Sequence, residues 1–73
     1  MKTTRKIAVH HLILPEQSLS LTQAVVEIQS GEVCRYYHFD QEQAATEWWG
    51  GSIELRHDAE GILRAWRNQQ IIE

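Results

Sequence analysis

Four histidines (His10, His11, His38 and His57) and one cysteine, Cys34, are the side chains here whose types suit metal ligation or nucleophilic chemistry. Their spacing speaks against both. His10 and His11 are neighbours, so on a strand they point to opposite faces and cannot hold one ion. Cys34 and His38 share a strand face, but four residues of strand place them about 13 Å apart. There is no C-x-x-C pair and no H-x-x-x-H on a helix. A nucleophilic Cys34 would need a histidine at hand and an exposed, electropositive setting. Arg35 falls on the opposite face, and Cys34 reads instead as a buried packing residue. Ser30 and Ser52 stand in no hydrolase-elbow motif. No catalytic, cofactor-binding or metal-ligating residue is assigned, and no cofactor is expected.

The aromatic residues are the stronger lead. Three tryptophans in 73 residues is a high count. Trp48 and Trp49 are adjacent, so on an extended chain one of the two points away from the core. With Trp66, Tyr36 and Tyr37 they form a set that either fills a small core or lines an interface, where tryptophan and tyrosine are enriched.

The elements that position these residues read as strands. Met1 to Arg5 is expected to be loose. Lys6 to Leu14 (KIAVHHLIL) alternates with Ile7, Val9, His11 and Ile13 on one face and Ala8, His10, Leu12 and Leu14 on the other, both largely apolar. Pro15 ends it, having no N–H to give a ladder, and Glu16 to Ser20 is polar and turn-like. Leu21 to Gln29 is a second strand, with Ala24, Val26 and Ile28 on one face and Val25, Glu27 and Gln29 on the other. Ser30-Gly31 supplies a tight turn. Glu32 to Phe39 returns, with Val33, Arg35, Tyr37 and Phe39 facing one way and Cys34, Tyr36 and His38 the other.

Asp40 with Gln43 resembles a capping box, which allows at most one short helical turn near residues 41–46. Glu47-Trp48-Trp49 resumes an extended path that Gly50-Gly51 bends. Ile53, Leu55 and His57 alternate with Ser52, Glu54 and Arg56. Asp58-Ala59-Glu60-Gly61 is a turn, Ile62 to Trp66 a partner strand, and Ile71-Ile72 a short edge strand or a frayed end. Strand-like runs about every ten residues and no long amphipathic helix predict a mostly β fold, a small β-sandwich or open barrel built from hairpins. Residues 1–73 make one domain.

Three segments in order, Lys6 to Leu14, AVVEIQSGEV and EQAATEWWGGSIELR, resemble the N-terminal β-domain of the amidohydrolase (metal-dependent hydrolase, chlorohydrolase-like) superfamily. The family's hairpin motif corresponds to Val26-Glu27-Ile28, Gly31 and Val33, and Gly51-Ser52-Ile53 to the point where the family's chain enters its catalytic barrel. There the family continues with a Pro-Gly pair and a metal-binding His-x-His. This chain instead reads Glu54-Leu55-Arg56-His57-Asp58-Ala59. A barrel needs about 250 residues. The resemblance therefore implies the β-domain standing alone, with no catalytic residue to carry over.

The totals agree with a small non-catalytic module. Hydrophobic residues make up 42% and charged residues 23% of the chain, as in an ordinary globular domain. The net charge of −3 offers no basic footprint for nucleic acid. The single cysteine excludes an internal disulfide. The apolar run Ile7–Leu14 lacks a following cleavage site for a secretion signal, and no run reaches the roughly 18 residues of a membrane helix. The expected location is the cytoplasm. A chain this short buries only about 60% of its unfolded surface, so self-association, with a dimer favoured, is the expected source of extra stability. The expected role is structural or protein-interaction, with a protein partner allowed. The alternatives are a small-ligand or carbohydrate-binding module using exposed tryptophans, or an accessory subunit of a hydrolase.

Overall fold

A computed structural model describes residues 4–41 and 46–73. Among these residues seven strands form one mixed sheet: β1 (Thr4–Leu14), β2 (Leu19–Gln29), β3 (Glu32–His38), β4 (Glu47–Trp48), β5 (Ser52–His57), β6 (Leu63–Arg67) and β7 (Gln70–Ile71). The order is β3-β2-β1-β5-β6-β7, and β4 also lies on β1. The sheet does not close: β3 pairs only with β2, and β7 only with β6. It is the mostly β, open architecture that strand spacing predicts. The helical turn expected over 41–46 falls on residues 42–45, outside the described residues. The one helical element described is a 3-10 turn, Pro15–Gln17, where a polar turn is expected.

The central strand is β1. Along one side it carries β2 antiparallel from Thr4↔Gln29 to Leu14↔Leu19. Along the other it carries β4 and then β5, both parallel, at Ile7↔Glu47 and at His11↔Ser52. Gly50 and Gly51 join these two pieces, with φ of 66° and 60°. Two consecutive left-handed residues are inexpensive only for glycine, and here they step the chain outward and back to the same ladder. The strand starts two residues before the expected position, because Arg5 is anchored by Glu47 across the sheet.

Simple alternation fails in the middle of β1, and the failure shapes the fold. Ile7 and Val9 face the core, but the next core residues are Leu12 and Leu14, while His11 and Ile13 are exposed. Opposite this step, Gln23 adopts a left-handed φ of 49°, and β2 likewise passes from Leu21 to Ala24 before its next inward side chain. Both strands of the ribbon thus change face together, keeping their register on either side (Val9↔Ala24, His11↔Thr22). Such irregularities sharpen bend and twist. The sheet curls until β3 lies against β6, and both halves of β1 serve one core.

That core comprises Ile7, Val9, Leu12, Leu14, Ala24, Val26, Ile28, Val33, Ile53, Leu55, Ala65 and Ile72, with Leu21, Tyr36, Trp49 and Leu63 packed against it. The inward set Ala24, Val26 and Ile28 is the one alternation predicts. On β3 alternation is again broken. Glu27 pairs with Arg35 and Ile28 with Val33, so a bulge at Cys34 leaves that residue opposite no partner. Val33 and Tyr36 turn inward, Arg35 and Tyr37 outward. Cys34 is therefore exposed on an outer strand rather than buried, which corrects the expectation drawn from its residue type.

The turns follow residue chemistry closely. Ser30 and Gly31 have φ of 53° and 78°, the two left-handed positions of the hairpin turn that suits twisted strands. Asp58 Oδ1 accepts the Glu60 N–H at 2.8 Å and the Ile62 N–H at 3.0 Å, closing the β5–β6 turn. Arg64 then joins the two hairpins: Nε donates to Asp58 Oδ2 at 3.0 Å and Nη1 to the Gly31 carbonyl at 2.8 Å. Glu16 on the 3-10 turn accepts from the His57 backbone N–H at 3.0 Å and sits 2.6 Å from its Nδ1. These bonds hold the Glu16 carboxyl below the usual carboxylate range.

Candidate functional site

The five aromatic residues singled out in the sequence do not assemble into one surface. Trp49 packs on the core, with the Arg5 and Arg67 guanidiniums 5.7 and 5.5 Å from its ring. Its Nε1 donates to Glu47 Oε1 at 3.2 Å, and Glu47 takes a two-pronged bond from Arg5 at 3.0 and 2.9 Å. Arg5 also donates to the Glu73 carbonyl. Trp66 lies on the outer face of β6 beneath Arg56, 4.0 Å from its centroid, and donates to the Arg56 carbonyl at 3.3 Å. Tyr36 is half-buried against the core. Tyr37 stands outward under Arg35 at 5.1 Å and donates its hydroxyl to Glu27 Oε2 at 2.8 Å. Desolvation, then this bond to Glu27, raises the Tyr37 pKa.

Trp48 differs from all of these. It is 58% exposed, the most exposed of the large hydrophobic side chains among the described residues. It is the outward member of the Trp48-Trp49 pair, as strand geometry requires. His10 stands perpendicular to it with centroids 4.9 Å apart, and Phe39 likewise at 6.5 Å. Together with Ala8, Gln23 and Asp40 these rings line a cleft of about 420 Å³, within the ordinary range for ligand sites, roughly 300–1,000 Å³. The cleft exists because of the kink: the step at His10 and Gln23 opens the outer face of the ribbon, and the chain after β3 folds over it through a 2.9 Å bond from the Phe39 N–H to the Gln23 carbonyl.

Trp48 is legible in the sequence as an exposed aromatic, whereas its neighbours His10, Phe39 and Asp40 are not. Nothing local in the sequence announces that β4 lies alongside Ala8 and so brings Trp48 to His10. Among the described residues no group of three or more His, Cys, Asp or Glu is arranged to hold a metal ion.

His38 braces the edge of the cleft. Its Nδ1 lies 2.7 Å from the Thr22 carbonyl and its Nε2 2.8 Å from Asp40 Oδ1. Only the doubly protonated ring donates to both, so the Thr22 carbonyl first, and the Asp40 carboxylate second, raise the His38 pKa. A raised folded-state value means that His38 contributes stability that is fully present below its unfolded pKa of about 6.5 and is lost as pH climbs through the folded value. Thermal unfolding of the wild type and His38→Gln between acidic and mildly alkaline pH should show the wild-type advantage shrinking as pH rises. A constant gap between the two would refute the role assigned to His38.

In comparisons with known proteins, no family model matches the chain, and no curated protein or solved structure is significantly similar to it. No helix among the described residues is long and apolar enough to cross a membrane. The fold defines a class, a small mostly β domain with an open, curled sheet, and the cleft around Trp48 is a concave feature of ligand size on it.

Proposed function

We propose that this chain is a non-catalytic β-module that works by binding, and that the cleft around Trp48 is where it binds. The single observation carrying this reading is that Trp48 is 58% exposed inside a concave site, whereas Trp49 and Trp66 are covered by side chains of the same molecule. A large ring held in water is an unused source of contact energy, since burial gains about 25 cal/mol per Å² of apolar surface. The partner is a protein or, in the alternative, a small ligand or carbohydrate. The resemblance to the β-domain of the amidohydrolase superfamily fits such a part: a scaffold half without the barrel, acting as a free-standing module or as an accessory subunit. A cytoplasmic setting agrees with an exposed, unpaired Cys34, because cytosolic thiols stay reduced.

The test is a mixed panel of peptides, sugars, nucleobases and organic cations, followed by the NMR signal of the three tryptophan indole N–H groups. Binding should move the Trp48 signal, vanish in Trp48→Ala and survive Trp66→Phe. A panel that never moves Trp48 would end this reading.

A second reading, homodimerisation, is favoured by the outer edges of β3 and β7, which carry no partner strand among the described residues, and by Ile71, 39% exposed on β7. Light scattering at rising concentration should report a mass of two chains, reduced to one by Ile71→Lys. A single-chain mass at every concentration would remove the dimer.

A further inference from the structure

Aromatic faces in this domain are repeatedly covered by the chain's own cations. Trp49 has Arg5 and Arg67, Trp66 has Arg56, and Tyr37 has Arg35. Among the described residues no lysine or arginine lies over Trp48. Its indole, the ring type that attracts cations most strongly, instead opens into the cleft. Phe39 and His10 stand at 85° and 87° to it, so the rings form walls of a box rather than a flat platform. At the rim is Asp40, its side chain 86% exposed, with Oδ1 bonded to His38. The chain as a whole carries a net charge of −3.

We infer that the Trp48 cleft binds a methylated ammonium group, with Trp48 supplying the cation-attracting face, Phe39 a perpendicular wall and Asp40 the counter-charge. This rests on the reading of the cleft as a binding surface and adds the ligand's chemistry. The shape of the box selects the class. A planar guanidinium lies flat on one ring, as Arg56 does 4.0 Å above Trp66, and uses a single face. A trimethylammonium head is nearly spherical, spreads its charge over methyl groups and touches several perpendicular rings at once. A bare ammonium keeps three N–H donors that need acceptors, and among the described residues Asp40 is the one carboxylate lining the cleft.

The experiment titrates the full chain with choline, with its uncharged isostere 3,3-dimethylbutan-1-ol, with guanidinium, and with a short peptide bearing a trimethyllysine. The readout is the Trp48 indole N–H together with tryptophan fluorescence. Choline is expected to bind about 3- to 30-fold more tightly than the uncharged isostere, the range cation–π attraction spans from exposed to desolvated sites. Trp48→Ala should abolish the response, Trp48→Phe should keep part of it, Asp40→Asn should weaken it, and Trp66→Phe should leave it unchanged. Tighter binding of the peptide than of choline assigns the cation to a protein side chain; equal binding assigns it to a small headgroup. Equal affinity for the uncharged isostere, or tighter binding of guanidinium, would overturn the methylated-ammonium class while leaving the cleft as a binding site. No movement of Trp48 with any of these ligands would overturn the inference, and silence across the wider panel above would remove the cleft reading as well.

Discussion

Leu12→Ala is expected to lower the stability of this domain by about 2–5 kcal/mol, the range for truncating a buried leucine, whereas Ile13→Ala should fall within roughly 1 kcal/mol. Leu12 is fully buried and Ile13 is 40% exposed, although both stand in the same apolar run. Unbroken alternation from Ile7 and Val9 predicts the reverse, with His11 and Ile13 inward. The pair of substitutions therefore tests the kink itself. At roughly 0.05–0.15 kcal/mol per residue, a chain of 73 residues has a total stability of about 4–11 kcal/mol, so the Leu12 variant should lose a large fraction of it. Urea unfolding followed by tryptophan emission is the measurement. Equal losses at both positions, or a larger loss at Ile13, would mean that β1 does not change face at His10-His11.

The second large effect is expected at Gly31→Val. With φ at 78°, a residue carrying a Cβ costs about 1–2 kcal/mol in the left-handed region, and a β-branched side chain sits at the upper end. A Cβ at this position would also come within 2.7 Å of Arg64 Nη1. The guanidinium would have to leave the Gly31 carbonyl, forfeiting a hydrogen bond worth about 1 kcal/mol and loosening the link to Asp58. Arg64→Met removes the same link without backbone strain. In a double-mutant cycle the two changes should cost less together than their sum, because each breaks one shared contact. Strict additivity would show that the Arg64 bridge does not couple the hairpins. The Asp58 end has its own signature. Hydrogen bonding from the Ile62 N–H, then from Arg64, lowers the Asp58 pKa, so its contribution is present above the unfolded carboxylate pKa and lost as pH falls through the folded one.

The proposed ligand class and the fold depend on the same local event. The step at His10 and Gln23 curls the sheet around its core and, on the opposite side, opens the cleft beside Trp48. A substitution that straightened the ribbon would be expected to weaken both. His38 sits at this junction, bonded to Thr22 of β2 and to Asp40 beyond β3.

What the sequence by itself determined is local. Glycine at a forced positive φ, an aspartate whose carboxylate caps its own turn, and runs of β-branched residues all act within a few positions. The Ser30-Gly31 turn, the Asp58–Gly61 turn, the inward set Ala24, Val26 and Ile28, and the outward placing of one of Trp48 and Trp49 were therefore readable from residue order. Three things were decided only by tertiary structure. Alternation carries along a strand until a bulge, as at Cys34, or a left-handed residue on the partner strand, as at Gln23, breaks it, so the inward turn of Leu12 and Leu14 and the exposure of Cys34 could not be read locally. The covering of Trp49 by Arg5 and Arg67 joins residues far apart in the chain. Trp48 was left without such a cover among the described residues because the chain that runs beside it, along Ala8 to His10, has no arginine or lysine to offer.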